Sequence, residues 1–374
     1  MIPSRETLLR ALRTLVELET PTGHAEGLAE GFSALASLTF EFTGRRADIM
    51  FAGGVPYLYL PATEEPSVLI LGHLDTVWPV GTLAEIPFSV EGDQARGPGV
   101  FDMKAGLVIA LGAIAGSSVA DHIGILVTGD EEVGSPTGRA LVEQYSPRAA
   151  AVFVPEPAAP GGRIKRARKG VGIYEFTIRG RGAHSGLEPE RGLNTTIEMG
   201  ALISDLVELQ DLGNGTTVTP TKARSGVTIN TVPADATLSA DARAWTAEEL
   251  QRVDNAVRAR QPHVAGVEVT IAGGINRLPL EAGVSAGLVA LARGAAIDLG
   301  LGDIGAVGVG GASDGNFSAA LGIPTLDGVG AAGGGAHARD EWVDVASLTV
   351  RAAWLAMIAE RVVAGDRGVV PHEN

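Results

Sequence analysis

Val68-Leu69-Ile70-Leu71-Gly72-His73-Leu74-Asp75-Thr76 opens as an uninterrupted apolar run and closes on an imidazole and a carboxylate. A short aliphatic run stopped by glycine reads as a strand buried on both faces, as in a parallel sheet. Two further runs repeat the design. Ile123-Gly124-Ile125-Leu126-Val127 leads into Thr128-Gly129-Asp130-Glu131-Glu132, and Ala151-Val152-Phe153-Val154 leads into Pro155-Glu156-Pro157. Helical patterns at 104–115 and about 136–144 separate the three runs. Strands alternating with helices predict βαβ units and a mostly parallel α/β sheet covered by helices.

Beyond Glu156 the texture changes. Pro160-Gly161-Gly162 is a break, followed by the basic stretch Arg163 to Lys169. From 171 to about 278 the strands alternate in and out, as in Tyr174 to Arg179 and Ala236 to Arg243, with helices expected at 192–210 and 246–260. Half-exposed alternation belongs to an antiparallel sheet with helices on one face, a separate α+β unit. After Pro279 the buried pattern returns, with a helix near 283–299, a glycine-rich apolar run at 304–311 and a last helix from about 344 to 364. The expected organisation is an α/β domain in two parts, 1–168 and 279–374, interrupted by an inserted domain over 169–278.

Composition narrows the function classes. The 374 residues carry 44 acids against 29 bases, a net charge of −15, and no cysteine. No disulfide framework, thiol nucleophile or thiolate zinc site can therefore form. The negative balance argues against a nucleic-acid binder and against docking on anionic membranes. The N-terminus places Leu8, Leu12, Leu15 and Val16 at helical spacing without the pattern of a secretory signal, and Ala105 to Ala120 is too short a run to span a bilayer. A cytoplasmic protein is expected.

In an open α/β sheet, ligands bind beyond the carboxyl ends of the strands. That edge would gather His73, Asp75, Glu131, Glu132 and Glu156, joined by Asp102 from Gly97-Pro98-Gly99-Val100-Phe101-Asp102-Met103-Lys104 just ahead of a helix. Singly, each acid reads as a helix cap and the histidine as a loop residue. Three successive strands delivering acids to one edge are not explained by capping. Five carboxylates in one crevice need raised pKa values or bound cations. Imidazole and carboxylate without sulfur suit catalytic zinc, or cobalt or manganese in its place. Of the seven histidines, His337 in Gly333-Gly334-Gly335-Ala336-His337 is the best second imidazole, while His24 and His122 read as structural.

Together, His73-Leu74-Asp75-Thr76-Val77, Gly99 to Lys104, Asp130 to Ser135, Glu156-Pro157 and His337 resemble the di-zinc amidohydrolase and peptidase family. That family holds bacterial glutamate carboxypeptidases, acetylornithine deacetylase, succinyl-diaminopimelate desuccinylase and aminoacylase. The resemblance spans nearly the whole chain in order. Through Arg168-Lys169-Gly170 and Arg179 to Gly186 it is closest to the glutamate carboxypeptidase branch. Met103 stands where many members carry a second Asp, and Ala105 where Gly is frequent.

The resemblance implies two zinc ions per subunit. Asp102 would bridge them, with His73 and Glu156 on one and Glu132 and His337 on the other. Glu131 would be the general base, Asp75 would accept from the second ring nitrogen of His73, and the peptide after Asp102 would be cis. The insert would mediate homodimerisation, with His184 reaching the partner's site as an oxyanion donor. Asn230, Arg243 and Lys169 would hold the substrate's carboxylate, and the segment around Ser313 would line the pocket. The expected reaction is hydrolysis of an amide bond beside a free carboxylate in a small peptidyl amino acid, with N-acyl amino acid deacylation as the alternative.

Two rivals use other residues. Gly311-Ala312-Ser313-Asp314-Gly315 fits a nucleophile elbow, with Asp327 and His337 following in the order of a serine hydrolase. That reading leaves His73, Asp102, Glu131, Glu132 and Glu156 without a task. A metal-binding scaffold without activity would have no use for Glu131.

Overall fold

The computed structural model describes residues 1–366. The chain forms two compact units. One comprises Met1–Ala167, Leu280–Val309 and, among the described residues, 313–366; the other comprises Arg168–Pro279 with Gly310–Ala312.

The first unit is built on an eight-stranded sheet. Its order is Asp48–Ala52, Val55–Leu60, Ile123–Thr128, Val68–His73, Ala151–Val154, Thr325–Asp327, Ile164–Arg168 and Ala306–Val309. The three apolar runs form buried strands as their composition predicts. They pair in parallel, with Val68–His73 in the middle, Ile123–Thr128 on one side and Ala151–Val154 on the other. Thr325–Asp327 adds a fourth parallel strand. The hairpin Asp48–Leu60 joins antiparallel at one margin, so the sheet is mixed and its parallel part is central.

This order places the strand reversal at Val68–His73. Its carboxyl end is flanked by the carboxyl ends of both neighbours, the position at which such sheets bind ligands. Ala105–Gly116, apolar all round, is almost wholly buried against the sheet, and Val345–Val363 packs beside it. At Gly106 a Cβ would lie 1.8 Å from the Pro155 carbonyl, so only glycine allows this helix to touch the strand end that leads to Glu156. No helix among the described residues is long and apolar enough to cross a membrane.

The second unit is an antiparallel sheet in the order Thr217–Ser225, Asp235–Ala244, Gly170–Arg179 and Glu268–Arg277. Tyr174, Phe176 and Ile178 are buried, while Ile173, Glu175, Thr177 and Arg179 face out. Helices Thr195–Glu208 and Ala247–Ala259 pack on the sheet, with Asn194 and Thr246 as their N-caps. A Cβ on Gly170 would stand 2.7 Å from the Pro279 nitrogen, so the first and last strands of this unit run side by side.

Glu198 is fully buried here, and its carboxylate accepts from Arg260 Nη2 at 2.7 Å and from the amides of His263 and Val264 at 2.8 Å each. Removing one partner of a buried ion pair leaves the other charge uncompensated. Arg260→Leu is therefore expected to destabilise the protein by about 3–5 kcal/mol in denaturant unfolding.

Candidate metal centre

His73 is the last residue of its strand, and its ring is 2% exposed. Nδ1 lies 3.0 Å from the carbonyl oxygen of Asp75. A carbonyl can only accept, so Nδ1 carries a proton and Nε2 is the nitrogen that can lose its own and offer a lone pair to a cation. Nε2 faces Asp102 Oδ1 at 3.4 Å and Glu156 Oε1 at 3.3 Å, two carboxylate oxygens. On the other side, His337 Nε2 stands 3.5 Å from Asp102 Oδ2 and 3.2 Å from Glu132 Oε2. Asp102 thus turns one oxygen to each imidazole.

The arrangement fits cations by its chemistry. His73 Nε2, Asp102 Oδ1 and Glu132 Oε1 are buried without a hydrogen-bond partner. The ligand atoms of these three residues lie within 4.8 Å of one another. Orphaned buried polar atoms are costly, and a cation among them removes the cost.

The electrostatics agree. Burial opposes charge on His73, yet the surrounding carboxylates of Asp102, Asp75 and Glu156 outweigh it and hold the pKa well above the ordinary value. Hydrogen bonds to Asp102 and Glu132 push His337 up to about 10. Burial works against ionisation of Asp102, but the two imidazoles overcome it and hold its carboxyl below the usual range. Burial pushes Glu132 up against the pull of His337. The pocket demands positive charge.

The chain is shaped locally to deliver these groups. Asp102 sits in Val100–Lys104, just ahead of the helix Ala105–Gly116, and its peptide bond to Met103 is cis, as the resemblance implied. His337 has a φ of 62°, in the left-handed region, at the end of the Gly333–Gly335 approach. Glu131 and Glu132 form a tight turn with Val133. Asp130 beside them does act as a cap, accepting from the amides of Thr137 at 2.7 Å and Gly138 at 3.1 Å. His24 and His122 are structural, the first capping Ala25–Thr43 and the second bonded to the Pro66 carbonyl.

Asp75 differs in detail from the expectation. Its carboxylate oxygen is 3.4 Å from His73 Nδ1, farther than its own carbonyl. The carboxylate instead accepts from Thr22 Oγ1 at 2.7 Å and from the amides of Glu131 and Glu132 at 3.2 Å each. It therefore ties the histidine strand to the Glu131–Glu132 turn. A contact to a threonine 53 residues away leaves no local signature.

Ser313 corrects an expectation. It is fully buried, and its hydroxyl donates to Asp327 Oδ2 at 2.5 Å. With its proton on a carboxylate and His337 turned to Asp102 and Glu132, Ser313 forms neither a nucleophile elbow nor a substrate-facing hydroxyl. Ser313→Ala is expected to cost about 1–3 kcal/mol of stability, because Asp327 loses a buried donor. Turnover should stay within a few-fold of wild type, which a serine hydrolase would not show.

In the second unit, Ala183–His184 pairs with Thr231–Val232, which puts His184 beside Asn230. His184 is exposed, and its Nδ1 accepts from the amides of Gly186 and Leu187 at 3.1 Å each. The neutral ring therefore presents an Nε2–H donor outward. Arg243 is anchored within this unit. Its Nε and Nη2 hold Asp241 at 2.9 and 3.0 Å, and Nη1 donates to the Gly310 carbonyl at 3.1 Å. Lys169 donates to the Gly215 carbonyl and lies over the Trp245 ring; burial and then the Arg243 charge lower its pKa. Both cations are thus held by the protein's own groups.

Residues 69–361 match the model of peptidase family M20/M25/M40. Carboxypeptidase G2 of Pseudomonas sp. (strain RS-16) is 29% identical over 361 residues, covering 92% of this chain and 86% of that one. Succinyl-diaminopimelate desuccinylase of Gluconobacter oxydans is 26% identical over 302 residues, covering 71% and 75%. The M20 family metallo-carboxypeptidase Sso-CP2 of Sulfolobus solfataricus shares the fold at a TM-score of 0.74 and 18% identity, over 95% of this chain and 99% of that one. A match over most of the chain, on a sheet whose carboxyl edge carries this cluster, makes the protein a member of the metal-dependent hydrolases of peptidase family M20/M25/M40.

Proposed function

We propose that this hydrolase is an exopeptidase that cleaves the amide bond beside a free carboxylate and releases a C-terminal amino acid, with glutamate preferred. The observation that carries the reading is Asp102, whose two oxygens each face a different imidazole. One cation would be held by His73, Glu156 and Asp102, the other by Glu132, His337 and Asp102. Zinc is the ion the donor set suits, with cobalt or manganese able to replace it. When bound, the ions supply Lewis acidity toward water and the scissile carbonyl.

The chain's own groups do the rest. Glu131 takes a proton from the attacking water and passes it to the leaving nitrogen as the C–N bond breaks. Asp75 holds the amides of Glu131 and Glu132, so the base and its neighbour keep fixed places. His184 offers its Nε2–H to the developing oxyanion, acting on the partner subunit's substrate in a homodimer. Asn230 and Arg243 address the substrate carboxylate, and Asp241 keeps the guanidinium oriented.

Deacylation of an N-acyl amino acid uses the same machinery. The carboxypeptidase relative is matched over 92% of this chain and the desuccinylase over 71%, which favours the peptidase reading. Comparing kcat/KM on a peptidyl glutamate and on N-succinyl and N-acetyl amino acids tests it; higher values on the latter two would reverse the choice. Chelation should abolish turnover and a serine-reactive phosphonate should leave it intact. His184→Ala is expected to lower kcat about 100-fold with KM little changed, since one oxyanion donor is worth that much.

A further inference from the structure

Glu341 lies four residues beyond His337 and is 2% exposed. Its Oε2 accepts from Trp78 Nε1 at 3.0 Å and the Gly99 amide at 2.9 Å. Its Oε1 accepts from the amides of Phe101 at 2.8 Å and Asp102 at 3.0 Å. Three of the four donors belong to a single short loop, the one that carries the carboxylate placed between the two imidazoles.

That loop turns at Gly99, whose φ of 71° lets successive amides converge on one anion. A Cβ at Gly99 would meet Thr76 at 2.6 Å, so the turn is closely packed as well. Charge-assisted bonds from backbone amides are short and directional, and three of them from one loop to one buried carboxylate fix the loop against rotation. The segment that supplies the clamp also supplies a member of the cluster. The turn from His337 to Glu341 is closed by the amides of Ala338 and Glu341, which donate to Gly335 and Ala338 carbonyls at 2.8 and 3.0 Å. One five-residue stretch thus presents an imidazole to Asp102 and grips the backbone of Asp102.

We propose that Glu341 is a positioning residue which, through the Gly99–Asp102 backbone, sets where Asp102 stands between His73 and His337 and so sets the affinity of the cluster for divalent cations. This rests on the reading of the cluster as a metal centre. Glu341 itself is not among the proposed ligands; its carboxylate is bonded to Trp78 and to the Gly99, Phe101 and Asp102 amides.

The test is cobalt binding, followed by calorimetry and by the visible absorption of Co²⁺, with circular dichroism to verify the fold. Glu341→Gln keeps the shape but turns an NH₂ against N–H donors, breaking half of the clamp. It is expected to bind Co²⁺ about 10–100-fold more weakly, as loss of groups that orient metal ligands does, with a shifted absorption band. Trp354→Phe loses the indole bond to the Ala292 carbonyl at 2.8 Å, away from the cluster, and serves as a stability control with unchanged Co²⁺ affinity. If Glu341→Gln does not fold, Glu341→Asp, too short to reach all four donors, carries the same measurement. Wild-type affinity and spectrum in a folded variant overturn the proposal, as does failure of both variants to fold with or without Co²⁺. A wild-type chain that takes up no cobalt would overturn the metal-centre reading and this inference together.

Discussion

Glu131→Ala should keep its fold and its metal and lose three or more orders of magnitude in kcat. General acid–base catalysis by one side chain is worth about 10²–10⁴-fold. A base that serves both water attack and leaving-group protonation belongs at the upper end. Glu132 is next in sequence, but its carboxylate is 3.2 Å from His337 Nε2 and held there, so it cannot take over the role. Metal analysis beside steady-state kinetics on a peptidyl glutamate checks both halves of the claim. Full activity in a metal-replete variant would remove Glu131 from the mechanism.

Asp102→Ala should have the larger effect on metal content. Every other proposed ligand serves one side of the cluster, whereas Asp102 faces both imidazoles, so its removal opens both sides together. The wild type is expected to bind two equivalents of Zn²⁺ and the variant to bind neither tightly. Ligand linkage makes this visible without turnover, since a ligand at 1,000 times its Kd stabilises the native state by about 4 kcal/mol per site. Added Zn²⁺ should therefore raise Tm strongly in the wild type and hardly at all in Asp102→Ala. An equal rise in both would mean that the ion binds elsewhere.

Much of this was legible in the chain because the signals are local. The strands at 68–73, 123–128 and 151–154 announce themselves by composition, and the acids after them need only the rule that parallel strands end on one edge. The alternation of Gly170–Arg179 likewise reports which face is buried. What stayed hidden depends on partners far along the chain. Glu341 looks like a second acid after Asp340, yet its donors are about 240 residues or more upstream. Thr22 has the same character toward Asp75. The substrate contact expected at Ser313 differs for the converse reason: a short glycine-flanked motif specifies a turn, while burial against Asp327 decides what the hydroxyl can do.

The meeting of Gly170 with Pro279 bears on how such an enzyme can be varied. Because the two ends of the inserted segment lie within a single residue's width, a different module with similarly spaced termini could be grafted at the same seam without stretching the host chain. The proposed cation ligands and Glu131 lie outside that segment and would be left in place, whereas His184, Asn230 and Arg243 would be exchanged with it.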